Sequence, residues 1–587
     1  PLIGKAKYTN DYSFEGQLYA YILRSPHAAA KINSVDLSGA KKISGVHLAL
    51  CGRDVFEHTN GITDHLNPAI FGGKSTRLPI MAVDEAWCYG QPVAIVIAED
   101  ERTARYAASR IQVDYTLREP VVDAEKAIAK GARSVVPEWD DNVLIYVPFM
   151  NGDTQAAFDQ ADKIVTTDVK IHRFSSQPME TRCYNAVWEH DTESITLYGT
   201  CQNPHPLRLV LAETLRMNEN KIRIIASTIG GAFGLKMHGH PEEPLICLMT
   251  KLIRRPVKWV ENREECLLIG AREQQHKVEM AFDSDGNMTG LRDHFLANIG
   301  APSACPGWGM AFLTGLTMPG PYKVENIDVH MNAVTTNKPS WNAARGYGKE
   351  STAIALELAM DNAARQFGIS PIDLRLKNFI TKEQFPYPSP TGLVYDSGDY
   401  GGVLLKALET IGYEDWKDKQ KAALAEGRHI GIGMAFELTP EGGTIPGTMV
   451  AGYDSSSVRV GPDGTVRVLT GITSPGTHNG TAIAQIVADE LGIDMDRIEV
   501  LQGDTNSSPY GFGNYSGRST IVGGGSAALA AKDVRDKINA VAAALLEVEI
   551  DTLSLSEGVF SSSDNGDATV TFAEVCYASY TRAYDVA

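Results

Sequence analysis

Three glycine-rich turns, each leading into a helix pattern, constrain this chain more than any other feature. Gly230-Gly-Ala-Phe-Gly-Leu-Lys236 follows the apolar run Ile222 to Ile225 and precedes a helical pattern from Glu242. Ala344-Arg-Gly-Tyr-Gly348 precedes a helix face made by Leu356, Met360, Ala363 and Phe367, and Tyr515-Ser-Gly-Arg-Ser-Thr-Ile-Val-Gly-Gly-Gly525 runs into an Ala-rich helix. Glycine lets backbone N–H groups approach a ligand closely, and a helix start presents further donors to an anionic group. The alternative for each segment is a tight turn that binds nothing. None has the GxxxxGK[ST] spacing of a Walker loop. Gly511-Phe-Gly-Asn-Tyr-Ser-Gly517 misses the dinucleotide fingerprint at the interval to its third glycine, which argues against a nicotinamide site.

Strand and helix patterns alternate throughout, so the fold class is α/β (α+β), and 587 residues exceed what one core organises. Residues 1–125 read as a small α/β domain, with a buried strand at Gln91–Ala98 and a helix over Asp100–Ile111. A Pro- and acid-rich stretch, 126–149, reads as a linker to a second unit over 150–384. Phe385-Pro-Tyr-Pro-Ser-Pro390 marks a second linker at 385–400, because clustered prolines suit neither a helix nor a central strand. The third unit, 401–587, opens with a hairpin about Gly461-Pro-Asp-Gly464 and a helix striped by Ile483, Ile486, Val487 and Leu491.

A net charge of −18 argues against nucleic acid as a partner. The eight cysteines form no CxxC pair, so any iron–sulfur or zinc centre belongs on another chain, and free buried thiols are expected. No apolar run reaches membrane-span length and Pro1-Leu-Ile-Gly-Lys5 starts no signal peptide, which predicts a cytoplasmic protein with no membrane partner. GxSxG and HExxH are absent, and His238, His240 and His478 read as structural or exposed.

Taken in order, Arg24-Ser-Pro-His27, Gly90-Gln-Pro-Val-Ala94, Cys201-Gln-Asn-Pro-His205, Gly230–Lys236, Arg255-Pro-Val-Lys-Trp259, Ala344–Gly348, Pro390-Thr-Gly-Leu-Val-Tyr-Asp-Ser-Gly398 and Gln485–Gly492 with Gly503-Asp-Thr505 resemble the large subunit of the molybdenum hydroxylases, the xanthine dehydrogenase and aldehyde oxidase family. The resemblance implies a small N-terminal α/β domain followed by two elongated molybdopterin-binding domains, the second incomplete at its C-terminus. It further implies oxidation of an electron-poor carbon with water as the oxygen source, where cofactor and metal do the difficult chemistry. By the match, Gln202 donates to a molybdenum ligand, Phe233 and Gly234 lie beside the metal, and Arg345 makes a backbone contact to the cofactor. Gly231, Gly476, Thr477, Arg518, Ser519 and Thr520 complete the cofactor-binding set, while Tyr347 and Met237 face substrate. The metal has no protein ligand and is held through its pterin.

The resemblance to three-subunit members implies molybdopterin cytosine dinucleotide, an iron–sulfur small subunit carrying two [2Fe–2S] clusters and an FAD medium subunit. Three departures refine it. Gly476-Thr477-His478 stands where the family has Gly-Gln-Gly, Met237 stands where purine-oxidising relatives carry a glutamate, and no cysteine lies in Ala343–Gly348, which argues against a copper–molybdenum site. The family's general-base glutamate is expected beyond Ala587, whether on a missing segment or on a separate C-terminal molybdopterin-binding polypeptide. The expected reaction is hydroxylation of an N-heteroaromatic ring. The alternatives are an aldehyde oxidoreductase of the same family and, in another class, a non-catalytic cofactor-carrying or assembly subunit.

Overall fold

The computed structural model describes residues 3–62, 66–439 and 453–582. Its largest sheet has seven strands and grows outward from Pro92–Ala98, a uniformly apolar run buried at every position, as a central strand covered on both faces must be. That strand pairs antiparallel with Leu18–Arg24 and Val46–Cys51. Leu18–Arg24 also runs parallel to Val257–Val260, and so the sheet continues through Cys183–Glu189, Ser194–Gly199 and Ile222–Ile225. The N-terminal α/β unit therefore shares one sheet with the unit that follows it.

Buried charge reinforces this seam. Arg24 binds Glu242 at 2.8 Å and Glu265 at 2.6 Å, while Arg182 binds Glu242 at 2.8 Å and Glu261 at 2.6 Å. Burial alone would raise the Glu242 carboxyl, but Arg182 and Arg24 outweigh it and hold that group well below the usual carboxylate range.

A second sheet of five strands orders Val143–Asn151, Asn326–Thr335, Met288–Gly300, Gln274–Phe282 and Lys163–Ile171. Its inner face packs on the helix Lys349–Phe367, whose Leu356, Met360 and Ala363 are buried as the sequence pattern requires. Of the stretch expected as a linker at 126–149, residues 143–149 form most of the edge strand Val143–Asn151, because pairing with Asn326–Thr335 outweighs the loop-like composition. The stretch 385–400 is likewise ordered: Tyr387–Pro388 pairs with Val394–Tyr395, and Tyr395 and Tyr400 are buried in the core.

In the third unit the hairpin Ser456–Val460 with Val466–Thr470 takes Ile498–Gln502 alongside in parallel. The helix Asn479–Leu491 covers that sheet with Ile483, Val487 and Leu491 and ends at Gly492, where φ is 66°. Gly503–Thr505 then docks the unit onto the free edge of the seven-stranded sheet: Ala226 N donates to Gly503 O at 2.8 Å, and Thr505 N to Ile224 O at 3.0 Å. No helix among the described residues is long and apolar enough to cross a membrane.

Arg182 should thus be indispensable to the seam. Arg182→Met leaves Glu242 and Glu261 buried and short of a partner, a loss of about 3–5 kcal/mol. A markedly lower thermal midpoint is expected, with Arg182→Lys intermediate; an unchanged midpoint would show that the network is incidental.

Candidate functional site

Gln202 sits between the seven-stranded sheet and the helix Pro204–Thr214, only 4% exposed, and all four of its polar groups are bonded to other parts of the chain. Its backbone N–H donates to Lys236 O at 3.0 Å, and its carbonyl accepts from Asn514 N at 2.9 Å and from the Thr473 hydroxyl. Its side chain accepts from Gly234 N at 3.1 Å through Oε1 and donates to Asn514 O at 2.9 Å through Nε2. The orientation of the amide is fixed by its partners, since a backbone N–H requires the oxygen and a carbonyl requires the nitrogen.

The first two glycine turns meet back to back. Arg345 N donates to Phe233 O at 2.9 Å. Gly234 has φ +95°, and a Cβ there would lie 2.6 Å from Ala343 O, so only glycine allows the approach. Gly513, in the third turn, is equally constrained, because its Cβ would fall 2.1 Å from Gln202 O. Phe233 takes a left-handed backbone conformation, φ 56°, and holds its ring half exposed. Behind it Glu180 accepts from Gly230 N and from the buried Lys236 ammonium, each at 2.7 Å. Burial pushes Lys236 below its ordinary range while Glu180 opposes the shift.

The remaining expected residues fall into two groups. Gly476 and Thr477 lie in an exposed turn joined to the hub, since Asn514 Nδ2 donates to Thr477 Oγ1 at 2.8 Å. Ser519 and Thr520 begin the run Ser519–Gly523 that leads into the long helix Gly524–Leu546; Thr520 is exposed, and the buried Ser519 hydroxyl has no partner among the described residues. Gly231, φ +89°, lies against the edge of the Phe233 ring. By contrast, Arg518 turns inward, binding Asp454 and donating to Gly513 O at 3.0 Å and Tyr453 O at 2.8 Å, so it shapes the third turn from behind. The Tyr347 hydroxyl donates to Pro306 O at 2.7 Å and its ring covers Gly309. Arg345 exposes its side chain, while Met237 is buried.

The sequence reading missed Asn514, Thr473 and Glu180. Asn514 stood in plain view inside Gly511-Phe-Gly-Asn514, but only the fold brings it to Gln202. Glu243 was missed too: it accepts from Gly239 N at 2.9 Å, His240 N at 3.1 Å and the Tyr184 hydroxyl at 3.1 Å, and burial pushes its carboxyl up to about 8. His238 and His240 are buried and bonded to Asn203 and to Leu235 O, in keeping with a structural role. All eight cysteines are free, and seven of them are buried.

Comparison with known proteins gives matches along nearly the whole chain. Residues 3–119 match the aldehyde oxidase and xanthine dehydrogenase a/b hammerhead domain, and residues 136–379 and 406–586 match two molybdopterin cofactor-binding domains. The chain is 32% identical to the nicotine 6-hydroxylase large subunit of Paenarthrobacter nicotinovorans, covering 99% of this chain and 72% of the relative. It is also 32% identical to the carbon monoxide dehydrogenase large chain of Afipia carboxidovorans, covering 98% and 74%. Quinoline 2-oxidoreductase from Pseudomonas putida 86 superposes with a TM-score of 0.94 at 31% identity, over 100% of this chain and 75% of that one.

Two buried imidazoles make the site's stability depend on pH. Burial, aided by Arg182, pushes His240 down to about 3, and burial, aided by Arg208, pushes His205 down to about 4, from an ordinary 6.5. The unfolded chain takes up these protons first, so their contribution is complete above pH 6.5 and is lost as pH falls below it, by about 1.4 kcal/mol per unit for each ring. Urea midpoints measured from pH 6.5 to 5 should fall less steeply in His205→Asn than in the native chain; parallel curves would refute the assignment.

Proposed function

The chain belongs to the molybdenum hydroxylase family as a molybdopterin-binding large subunit, an oxidoreductase, and from that premise we propose that it hydroxylates an electron-poor carbon of an N-heteroaromatic ring. The observation that carries the reading is the fixed amide of Gln202. With Oε1 held by Gly234 and one Nε2 proton held by Asn514, the second Nε2 proton is the donor available to a bound group.

The residues present fit the molybdopterin. The Ser519 hydroxyl, unpartnered among the described residues, begins the run into the long helix, and a Cβ added at Gly476 would meet nothing nearer than Ile229 O at 4.0 Å among the described residues beyond its chain neighbours. When bound, the molybdenum–pterin group supplies the two-electron oxidation, with water as the oxygen source. Gln202 orients that group by donating from Nε2, and the Gly234 N–H keeps the amide from turning. Gly231, Phe233 and the backbone at Arg345 form the wall behind it, and Gly476 and Thr477 border it on the other side. Ser519 and Thr520, at a helix N-terminus whose donors favour anions, receive the pyrophosphate of a cytosine dinucleotide form, with Arg518 bracing the turn from behind. The Phe233 and Tyr347 rings and the apolar Met237 suit a flat, uncharged substrate, and the similarity to proteins named for nicotine and quinoline points the same way. Electrons leave to an iron–sulfur small subunit with two [2Fe–2S] clusters and an FAD medium subunit.

The purified native complex should contain molybdenum and a cytidine nucleotide stoichiometric with the chain, and should oxidise pyridine or quinoline compounds faster than aromatic aldehydes. A complex free of both molybdenum and nucleotide would overturn the cofactor assignment, and preferential aldehyde turnover would overturn the substrate. Gln202→Leu removes one preorganised donor and should lower kcat by about 100- to 1,000-fold at unchanged molybdenum content. Turnover within a few-fold of native would remove Gln202 from the mechanism.

A further inference from the structure

Outside the glycine turns, the outward face of the five-stranded sheet gathers a second set of chemistry-bearing side chains. Met288–Gly300 and Asn326–Thr335 run parallel, with Arg292 opposite Asp328 and His294 opposite His330. Because side chains alternate along a strand, these four share the outer face while Asp293, Phe295, Val329 and Met331 point into the core. We propose that His294, Asp328 and His330 form a binding site for a divalent transition-metal ion of the zinc class.

Several observations converge on this. The donor atoms of the three residues all lie within 4.8 Å of one another, close enough for one ion to be reached by small side-chain rotations. His330 Nε2 is 2.7 Å from Asp328 Oδ1, and His294 Nε2 is 3.8 Å from Asp328 Oδ2. The Tyr146 hydroxyl is hydrogen-bonded to His330 Nδ1. Without an ion, His330 Nε2–H donates to Asp328 and Nδ1 accepts from Tyr146; an ion taking Nε2 shifts that proton to Nδ1, where the Tyr146 oxygen accepts it, the outer-sphere arrangement that orients metal-binding histidines. The two imidazole centroids are 4.3 Å apart, so both rings face the same carboxylate.

Arg292 brings a positive charge to the site, and it is restrained. Its Nε holds Asp328 Oδ2 at 3.1 Å, its Nη1 faces Glu279 at 3.5 Å, and its guanidinium lies 4.4 Å from the centroid of the Phe158 ring. Glu279 offsets its charge, and Asp328 Oδ1 stays with His330 while Oδ2 lies between Arg292 and His294. Two imidazoles and one carboxylate suit zinc better than calcium or magnesium, which prefer oxygen, and three protein ligands leave a fourth position for water or a partner's side chain. His294 is half exposed, so an ion reaches the site without unfolding the sheet.

The test is equilibrium dialysis of the untagged native complex against micromolar zinc chloride with magnesium in excess, followed by metal analysis. The native complex should bind one more zinc per large chain than the double variant His294→Ala/His330→Ala, and Tyr146→Phe should weaken that zinc by about 10- to 100-fold. Substrate turnover and the thermal midpoint without zinc should be unchanged in both variants, because these side chains lie on the outer face. Equal zinc uptake by the native complex and the double variant, or uptake abolished by excess magnesium, would overturn the proposal.

Discussion

The side chain and backbone of Gln202 form the contact on which the candidate site depends. One buried residue is bonded to Gly234 and Lys236 in the first glycine turn, to Thr473 ahead of Gly476, and to Asn514 in the third. An unpaired buried donor or acceptor costs about 1–3 kcal/mol, so no one of these segments can shift without orphaning a polar group on another. The second turn joins the set without touching Gln202, since Arg345 N bonds Phe233 O and Ala343 lies against Gly234. Segments more than 300 residues apart in sequence are thereby held as one rigid cradle.

Buried ion pairs play the complementary part of backing the first and third turns. Lys236 with Glu180 braces the first, Arg518 with Asp454 the third, and the Arg182 network stands behind the helix that follows the first turn. Taking such charges out of water is unfavourable, so these pairs are weak evidence of stability in themselves, but each bridges two segments and breaking any one of them leaves a bare charge.

What could be read from the sequence was whatever is local. The strand Pro92–Ala98, the helix Asn479–Leu491 closed by Gly492, and the glycine turns all follow from spacing within a dozen residues, and all are present. What could not be read depends on distant partners. Arg518 has the composition of a phosphate ligand, yet Asp454, 64 residues earlier, claims it; Tyr347 looks like an open wall between two glycines, yet its hydroxyl reaches Pro306. The stretch at 143–149 has loop-like prolines and acids on either side, and only the partner strand Asn326–Thr335 makes it an edge strand. Asn514 was hidden for the same reason, its importance lying wholly in a contact 312 residues away.

The backbone itself shows where the fold accepts strain. Phe233, Tyr347, His478 and Ser516 all have positive φ, between 52° and 58°, and each lies in a different turn around the cradle, within two residues of a glycine. Left-handed backbone at such residues costs on the order of 1–3 kcal/mol each and persists only where surrounding contacts over-determine it. A turn that merely reversed the chain could place glycine at these points and avoid that strain. Keeping a side chain there points Phe233 outward, half exposed, while the neighbouring Gly234 N–H points inward to Gln202. The left-handed residue is thus what lets a single turn face in two directions, gripping the hub with its backbone and presenting a ring to the space beyond.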